Sequence, residues 1–233
     1  SSRENDIVTG IIQRMENKNV YIDLGKAEAI LTPNEQIPGE IYQYHDRMKT
    51  YIVEVKKTSK GPQIMVSRTH PGLLKRLFEL EVPEIHDGLV EIKSVAREPG
   101  MRSKISVYTK DENIDPVGAC VGHKGMRVQT IVNELRGEKI DIVKYSSEPD
   151  QYVANALSPA KVVSTEVLEE EKICRVIVPD YQLSLAIGKE GQNARLAAKL
   201  TGWKIDIKSE SQAAEEAEQG AQEVGVAYEA DED

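Results

Sequence analysis

Two short loops in this sequence combine paired glycines with charged residues in a way that suits them to hold a phosphodiester backbone. The first loop is Gly122-His123-Lys124-Gly125, and the second is Gly188-Lys189-Glu190-Gly191. Because glycine has no Cβ atom, a phosphate can approach the main chain closely at these positions. A helix is predicted to begin at each loop, so its free N–H groups and positive dipole end would face the phosphate. Each loop is therefore a candidate phosphate clamp.

Residues beside the two loops could add positive charge and contacts to bases. In the first copy, Lys124 favours phosphate, and Arg127 and Gln129 could reach phosphate or base edges from the following helix. In the second copy, Glu190 should repel phosphate or else favour its own helix N-terminus, so positive charge is expected from Lys189 and from the arginine of the next helix. An apolar residue just before each loop could floor a groove for bases. The complete set of predicted nucleic-acid contacts at the loops is Val121, Gly122, His123, Lys124, Gly125, Arg127, Gln129, Ile187, Gly188, Lys189, Glu190, Gly191, Asn193 and Arg195.

The two loops belong to an internal repeat. Asp115 stands before the first loop as Asp180 stands before the second, and the block Lys139-Ile140-Asp141-Ile142 recurs after the second loop as Lys204-Ile205-Asp206-Ile207. A single loop of this type is weak evidence, because its first glycine could equally cap the helix before it. Two copies with matching blocks on both sides make chance an unconvincing explanation.

The same order of elements is predicted around each loop: a helix, two strands, two helices and a strand. A GxxG loop between two helices in this order is the signature of the KH module, which clamps about four nucleotides of backbone and leaves unpaired bases readable. The first copy comprises a helix over 73–80, strands at 88–95 and 103–108, helices at 116–121 and 126–135, and a strand at 139–144. The second comprises a helix at 152–157, strands at 161–168 and 173–178, helices at 181–187 and 192–200, and a strand at 203–208.

The segment before the repeat is rich in short strands separated by turn residues. Val20 and Ile22 alternate with Tyr21 and Asp23, which is the period of a half-buried strand. Five such strands are predicted, at 7–15, 20–24, 27–31, 51–56 and 64–67. Five short strands in so few residues favour a closed OB-fold barrel. Tyr21, on the polar face of the second strand, is a candidate for stacking on a base.

The predicted fold class is therefore multidomain α+β, with a five-stranded OB-fold β-barrel followed by two tandem type II KH domains. The predicted domains are the barrel over 1–70, the first KH domain over 71–147, the second over 148–209, and an acidic disordered tail over 210–233. The formal net charge is −9, and nine acidic residues without Lys or Arg lie between Ser209 and Asp233. The body is thus neutral overall and can carry local basic patches, although a purely salt-driven duplex binder is disfavoured.

Other classes of protein are disfavoured by residue usage. Cys120 and Cys174 lie far apart and in no metal-ligand spacing, which favours two buried thiols in a reducing compartment. No apolar run approaches the roughly 20 residues of a membrane helix, and no secretory signal opens the chain. We expect a cytoplasmic monomer without a membrane partner, cofactor, metal site or catalytic residues, and hence no enzymatic activity.

Several long blocks of the sequence resemble the NusA family of bacterial transcription factors. The resemblance covers roughly residues 4–208 and is carried by 67–73, 78–85, 95–100, 115–122, 135–143, 155–160 and 182–188. It implies a barrel of the ribosomal-protein-S-one kind followed by two KH modules packed as one RNA-binding unit. It also implies that the chain is a fragment lacking the family's N-terminal polymerase-binding domain.

The resemblance further implies a role in transcription. The expected ligand is single-stranded nascent or leader RNA, and the expected partners are RNA polymerase and other antitermination factors, with effects on pausing, termination and antitermination. Two alternatives stay open from the residues themselves. The chain could be the RNA-binding accessory region of an RNA-processing nuclease, or a protein-interaction scaffold, which Glu190 in the second loop keeps plausible for one copy.

Overall fold

The computed structural model describes residues 4–219 and 226–229 of the 233 residues. The chain divides into two compact units. One contains the chain up to Leu89 together with Glu98–Arg102 and Gly118–Ile140. The other contains Val90–Arg97, Ser103–Val117 and the chain from Asp141 onward.

Five strands of the first unit form a closed barrel, as the turn-punctuated alternation predicts. They are β1 (Ile7–Glu16), β2 (Asn19–Asp23), β3 (Glu28–Leu31), β4 (Arg47–Thr58) and β5 (Gly61–Ser67), in the order β1-β2-β3-β5-β4. The β3–β5 pair is parallel, and β4 closes the barrel by pairing antiparallel with β1. The five-stranded OB-type barrel is confirmed.

The barrel core follows from the period-two pattern. Val20 and Ile22 point inward and are fully buried, while Tyr21 between them faces outward and is half-buried. Gly10 on β1 is required by close packing, because a Cβ atom there would lie 2.3 Å from Cγ2 of Ile22. The outward-facing side chains of the strands, such as Tyr21, are therefore the ones with which this barrel can present polar and aromatic groups.

Both KH modules have the predicted order of elements. The first comprises α1 (Pro71–Glu81), α2 (Pro83–His86), β6 (Glu91–Glu98), β7 (Arg102–Tyr108), α3 (Pro116–Val121), α4 (Met126–Glu134) and β8 (Lys139–Lys144), with sheet order β6-β7-β8. The second comprises α5 (Pro149–Ala156), β9 (Ser164–Leu168), β10 (Ile173–Val178), α6 (Leu183–Ile187), α7 (Gln192–Thr201) and β11 (Lys204–Ser209). In the second sheet β10 pairs parallel with β11 and antiparallel with β9, which is the mixed sheet of a type II module.

The first strand of the first KH module begins three residues later than predicted. The sequence predicts a strand from residue 88, whereas β6 starts at Glu91. The difference arises because the end of α2 is closed by a turn, in which Gly88 N–H donates to the Ile85 carbonyl and Leu89 N–H to the Glu84 carbonyl. These backbone groups are thereby unavailable to a sheet.

The prediction of a disordered tail from residue 210 is wrong for its first ten residues, which form α8 (Glu210–Gln219). The helix begins with a capping box: Ser209 Oγ accepts from Gln212 N–H at 3.2 Å, and Gln212 Oε1 accepts from Ser209 N–H at 3.0 Å. Ser211 also hydrogen-bonds Asp180, and Lys208 pairs with Glu216 at 2.6 Å. These contacts offset the repulsion among its carboxylates.

A short strand, β12 (Val226–Tyr228), adds to the second sheet by pairing antiparallel with β11. Together with α8 it gives structure to part of the predicted tail. The remainder of that prediction, residues 220–225 and 230–233, lies outside the described residues. No helix within the described ranges is long and apolar enough to cross a membrane.

Both cysteines are buried and form no disulfide, in agreement with the predicted apolar thiols. Burial raises the pKa of the Cys174 thiol to about 11, with a smaller contribution from the negative charge of Asp150. At pH 8 this thiol is therefore protonated, and the thiolate is the reactive species.

We expect Cys174 to resist alkylation by iodoacetamide in the native protein and to react fully in 6 M urea, as mass spectrometry can follow. Rapid native alkylation at pH 8 would contradict this.

Candidate nucleic-acid interface

The two GxxG loops have nearly the same backbone conformation. Gly122 lies at φ 78° and ψ 175°, and Gly188 at φ 79° and ψ 167°. The third loop residue is left-handed in both copies, with Lys124 at φ 54° and ψ 28° and Glu190 at φ 56° and ψ 25°. Left-handed conformations are unfavourable for residues with a Cβ atom, so their recurrence marks a constrained geometry rather than a casual turn.

Each loop leads directly into the helix that should face the phosphate. Gly125 is the N-cap of α4 and Gly191 is the N-cap of α7, both with left-handed backbone. Neither helix has a side-chain cap hydrogen bond. The first-turn N–H groups are therefore not satisfied by a capping side chain, which leaves them able to bind an anion.

The first glycine of each loop is needed for close packing against the helix that follows. A Cβ atom on Gly122 would lie 2.6 Å from Cγ of Arg127, and one on Gly188 would lie 2.7 Å from the backbone N of Asn193. In both copies the obstacle is the residue five positions later. The close fit thus holds the loop against the first turn of the helix that follows it.

The residue five positions after the first glycine makes hydrogen bonds to the protein in both copies. The Arg127 guanidinium donates to Glu84 at 2.8 Å and to the Ala119 carbonyl at 2.7 Å. Asn193 is only 1% exposed, and its Nδ2 donates to the carbonyls of Leu157 and Ala186. Asn193 is too deeply buried to touch a nucleotide, which corrects its predicted role, and Arg127 has its guanidinium engaged by protein.

The two middle residues of each loop have exposed side chains. His123 and Lys124 in the first loop and Lys189 and Glu190 in the second are all exposed. No ion pair joins Lys124 or Lys189 to another residue among residues 4–219 and 226–229. Their ammonium groups are consequently available to phosphate.

The remaining predicted contact residues differ in their exposure and in their hydrogen bonds to the protein. Arg195 donates to the Glu190 carbonyl at 3.0 Å, so it braces the second loop while staying partly exposed. Gln129 is exposed and donates to Asn133 one helical turn away at 2.9 Å. Val121 and Ile187, just before the loops, are half-buried, which suits the edge of an apolar groove.

Tyr21 on the barrel has one ring face already covered. The Arg14 guanidinium carbon lies 4.1 Å from the ring centroid, and Arg14 also pairs with Glu28 at 2.9 Å. Hydrogen bonding by Glu28 raises the pKa of Arg14 and keeps it charged. Sequence reasoning missed Arg14, because its place opposite Tyr21 depends on the β1–β2 register, which shifts between Ile12 and Arg14. A base could stack only on the opposite face of this ring.

Comparison with known families divides the chain into three matching regions. Residues 1–67 match the S1 RNA binding domain, residues 68–145 the NusA-like first KH domain, and residues 149–215 the NusA-like second KH domain. These regions follow the order of barrel and KH modules seen in the structure.

Three curated proteins that are similar to this chain share one name. Proteins named transcription termination/antitermination protein NusA from Halalkalibacterium halodurans and Bacillus subtilis are each 72% identical over 213 residues, covering 91% of this chain and 56% and 57% of those proteins. The protein of that name from Mycobacterium bovis is 51% identical over 220 residues, covering 91% of this chain and 63% of its own length. The chain thus spans little more than half the length of the first two relatives.

Proposed function

Because this chain belongs to the NusA family, we propose that it binds single-stranded RNA through its two KH loops and its barrel. The observation that carries the proposal is the repeated loop backbone, with left-handed third residues and helices that begin without a side-chain cap. Two clamps in one chain raise the affinity for a strand that reaches both, since the second contact becomes intramolecular.

We propose that the chain has the biological role that its relatives' name describes, in transcription termination and antitermination. Bound to nascent or leader RNA, the chain contributes to pausing, termination and antitermination by RNA polymerase, in the cytoplasm, as a monomer and without catalysing a reaction. The proposed domain limits are those predicted from the sequence, 1–70, 71–147 and 148–209. The family matches support limits within a few residues of these positions.

The test replaces three exposed loop residues by aspartate: His123→Asp and Lys124→Asp in the first loop, and Lys189→Asp in the second. Aspartate tolerates the left-handed backbone at position 124, so the loop should keep its shape. Losing two charge-assisted contacts to phosphate should weaken binding to an unpaired 12-nucleotide RNA roughly 30-fold or more. Fluorescence anisotropy at fixed salt measures the affinity, with duplex DNA of the same sequence as the comparison ligand.

Lys172→Asp is the matched control. Lys172 is also an exposed lysine with left-handed backbone, at φ 56°, but it lies in the turn between β9 and β10. It should lose little affinity. If the loop variant and the control bound RNA equally well, the KH loops would not be the RNA-binding surface, and a protein-interaction scaffold would become the better explanation.

A further inference from the structure

The first KH module carries a segment that the second lacks. Residues 109–114 join β7 to Asp115, whereas Pro179 alone joins β10 to Asp180. The longer segment therefore adds surface to one copy of the repeat only. It is not required to build the module, because the second copy forms the same elements without it.

The extra segment forms one wall of a cavity of about 360 Å³ in the second compact unit. Asp111 and Glu112 line that wall, and Tyr108, Lys144 and Tyr145 line the other side. The segment is held in place by its own turn, in which Asp111 N–H donates to Thr109 Oγ1 at 3.1 Å. The cavity is thus lined by two aromatic rings, a cation and two carboxylates.

The two tyrosine rings pack against each other and against neighbouring side chains. Tyr108 and Tyr145 meet edge to face with centroids 5.8 Å apart, and Tyr145 packs edge to face on Tyr152 at 4.9 Å. The Lys93 ammonium lies 5.0 Å and 5.2 Å from the Tyr108 and Tyr145 centroids. Lys93 and Tyr152 do not line the cavity, so they brace the rings from outside it. A flat ligand could therefore stack on one of the two rings and meet the other at its edge, and rings already packed in this way limit the entropy lost on binding.

The charges around the rings indicate what such a ligand carries. Lys144 is exposed and pairs with no carboxylate of the described residues, so it can bind a phosphate. Glu112 is exposed and likewise has no cationic partner in the part of the chain that the structure describes. Carboxylates accept hydrogen bonds and favour a base edge that presents donors.

We propose that this cavity binds one unstacked guanine of a single-stranded RNA, separately from the GxxG loops. The Tyr108 ring stacks on the base, and the Tyr145 ring, which lies at 83° to it, contacts the edge of the base. A carboxylate of the 109–114 segment accepts from the N1–H and N2–H₂ donors of the base, and Lys144 contacts the phosphate. Uracil presents a single N3–H between two carbonyl oxygens, which the carboxylate repels. The inference rests on the proposed RNA binding and adds a base preference to it.

The test uses the whole chain and three unpaired 12-nucleotide RNAs in lithium buffer. One is all uridine, the second carries guanosine at every fourth position, and the third carries inosine there, which lacks only the 2-amino group. Wild type should bind the guanosine RNA roughly fivefold more tightly than the inosine RNA, the effect of about one hydrogen bond. Tyr108→Leu and the double variant Asp111→Asn/Glu112→Gln should bring that ratio close to one.

Two variants keep the test specific. Tyr108→Phe retains the stacking ring and should retain the preference, and Lys110→Gln changes an exposed residue of the same segment that does not line the cavity. If the cavity variants kept the guanosine preference while the loop aspartates abolished RNA binding, the cavity proposal would fail and the proposed function would stand. If wild type bound none of the RNAs, both would fail.

Discussion

Arg68→Ala should lower the free energy of unfolding of the barrel-containing unit by about 3–5 kcal/mol, the cost of removing one member of a buried ion pair. The Arg68 side chain is fully buried. It forms a two-pronged contact with Glu40, donating to Oε1 at 2.9 Å and to Oε2 at 2.7 Å. Glu40 itself is 2% exposed, so removal of the guanidinium leaves a buried carboxylate whose other cation, Arg136, lies 4.0 Å away.

Arg68 also holds main-chain groups from two elements. It donates to the Lys49 carbonyl on β4 at 2.9 Å and to the Glu134 carbonyl at the end of α4 at 3.1 Å. Burial by itself lowers the pKa of Arg68, but hydrogen bonding and charge from Glu40, with the charge of Glu134, raise it above its ordinary value. The arginine therefore stays protonated and joins the barrel to the helix that follows the first GxxG loop.

Urea denaturation followed by far-ultraviolet circular dichroism measures the Arg68 effect. Arg76→Ala is the matched control, because Arg76 pairs with Glu79 at 2.6 Å but is 39% exposed. An exposed pair of this kind contributes less than about 1 kcal/mol. Equal stability losses in the two variants would mean that the buried network does not join the barrel to α4.

We also expect Arg68→Ala to weaken RNA binding, since a loosened barrel no longer acts as a linked site.

Lys104→Met should lower the stability of the second compact unit by about 3–5 kcal/mol for the same reason. The Lys104 side chain is fully buried on β7, with its Nζ 3.0 Å from Asp141 Oδ2 on β8. It also donates to the Ser158 carbonyl at 2.7 Å, which ties the first KH sheet to the segment after α5. Methionine fills a similar volume but leaves the Asp141 carboxylate without this cation.

The double variant Lys104→Met/Asp141→Leu tests whether the unpaired Asp141 carboxylate causes the stability loss in Lys104→Met. Replacing both members of a buried pair by apolar residues is often nearly neutral, so most of the lost stability should return. A deficit of about 1 kcal/mol should persist, because the Ser158 carbonyl still lacks its donor. Trp203, the single tryptophan, packs against the core of this unit, so its fluorescence reports the unfolding. A double variant no more stable than Lys104→Met would show that the unpaired Asp141 carboxylate is not the cause of the lost stability.

Much of this molecule was predictable from local patterns. Alternation of Val20 and Ile22 with Tyr21 sets a strand and its buried face within a few residues. The glycine pairs and the repeated Lys-Ile-Asp-Ile block predicted two modules with the same order of elements, which the structure has. Helix α8 was also within reach, because Ser209 and Gln212 have the spacing of a capping box, but the run of acidic residues outweighed that signal.

Tertiary structure decided which polar side chains stay exposed and which hold the fold. Arg127 and Asn193 occupy equivalent places after the loops and looked like nucleotide contacts, yet one is engaged by Glu84 and the other is buried. Arg68 meets Glu40 and Glu134, which are 28 and 66 residues away in sequence. Periodicity and glycine placement act over a few residues and are visible in the chain itself. Loss of water by a charged group depends on distant segments closing over it, which only the folded structure determines.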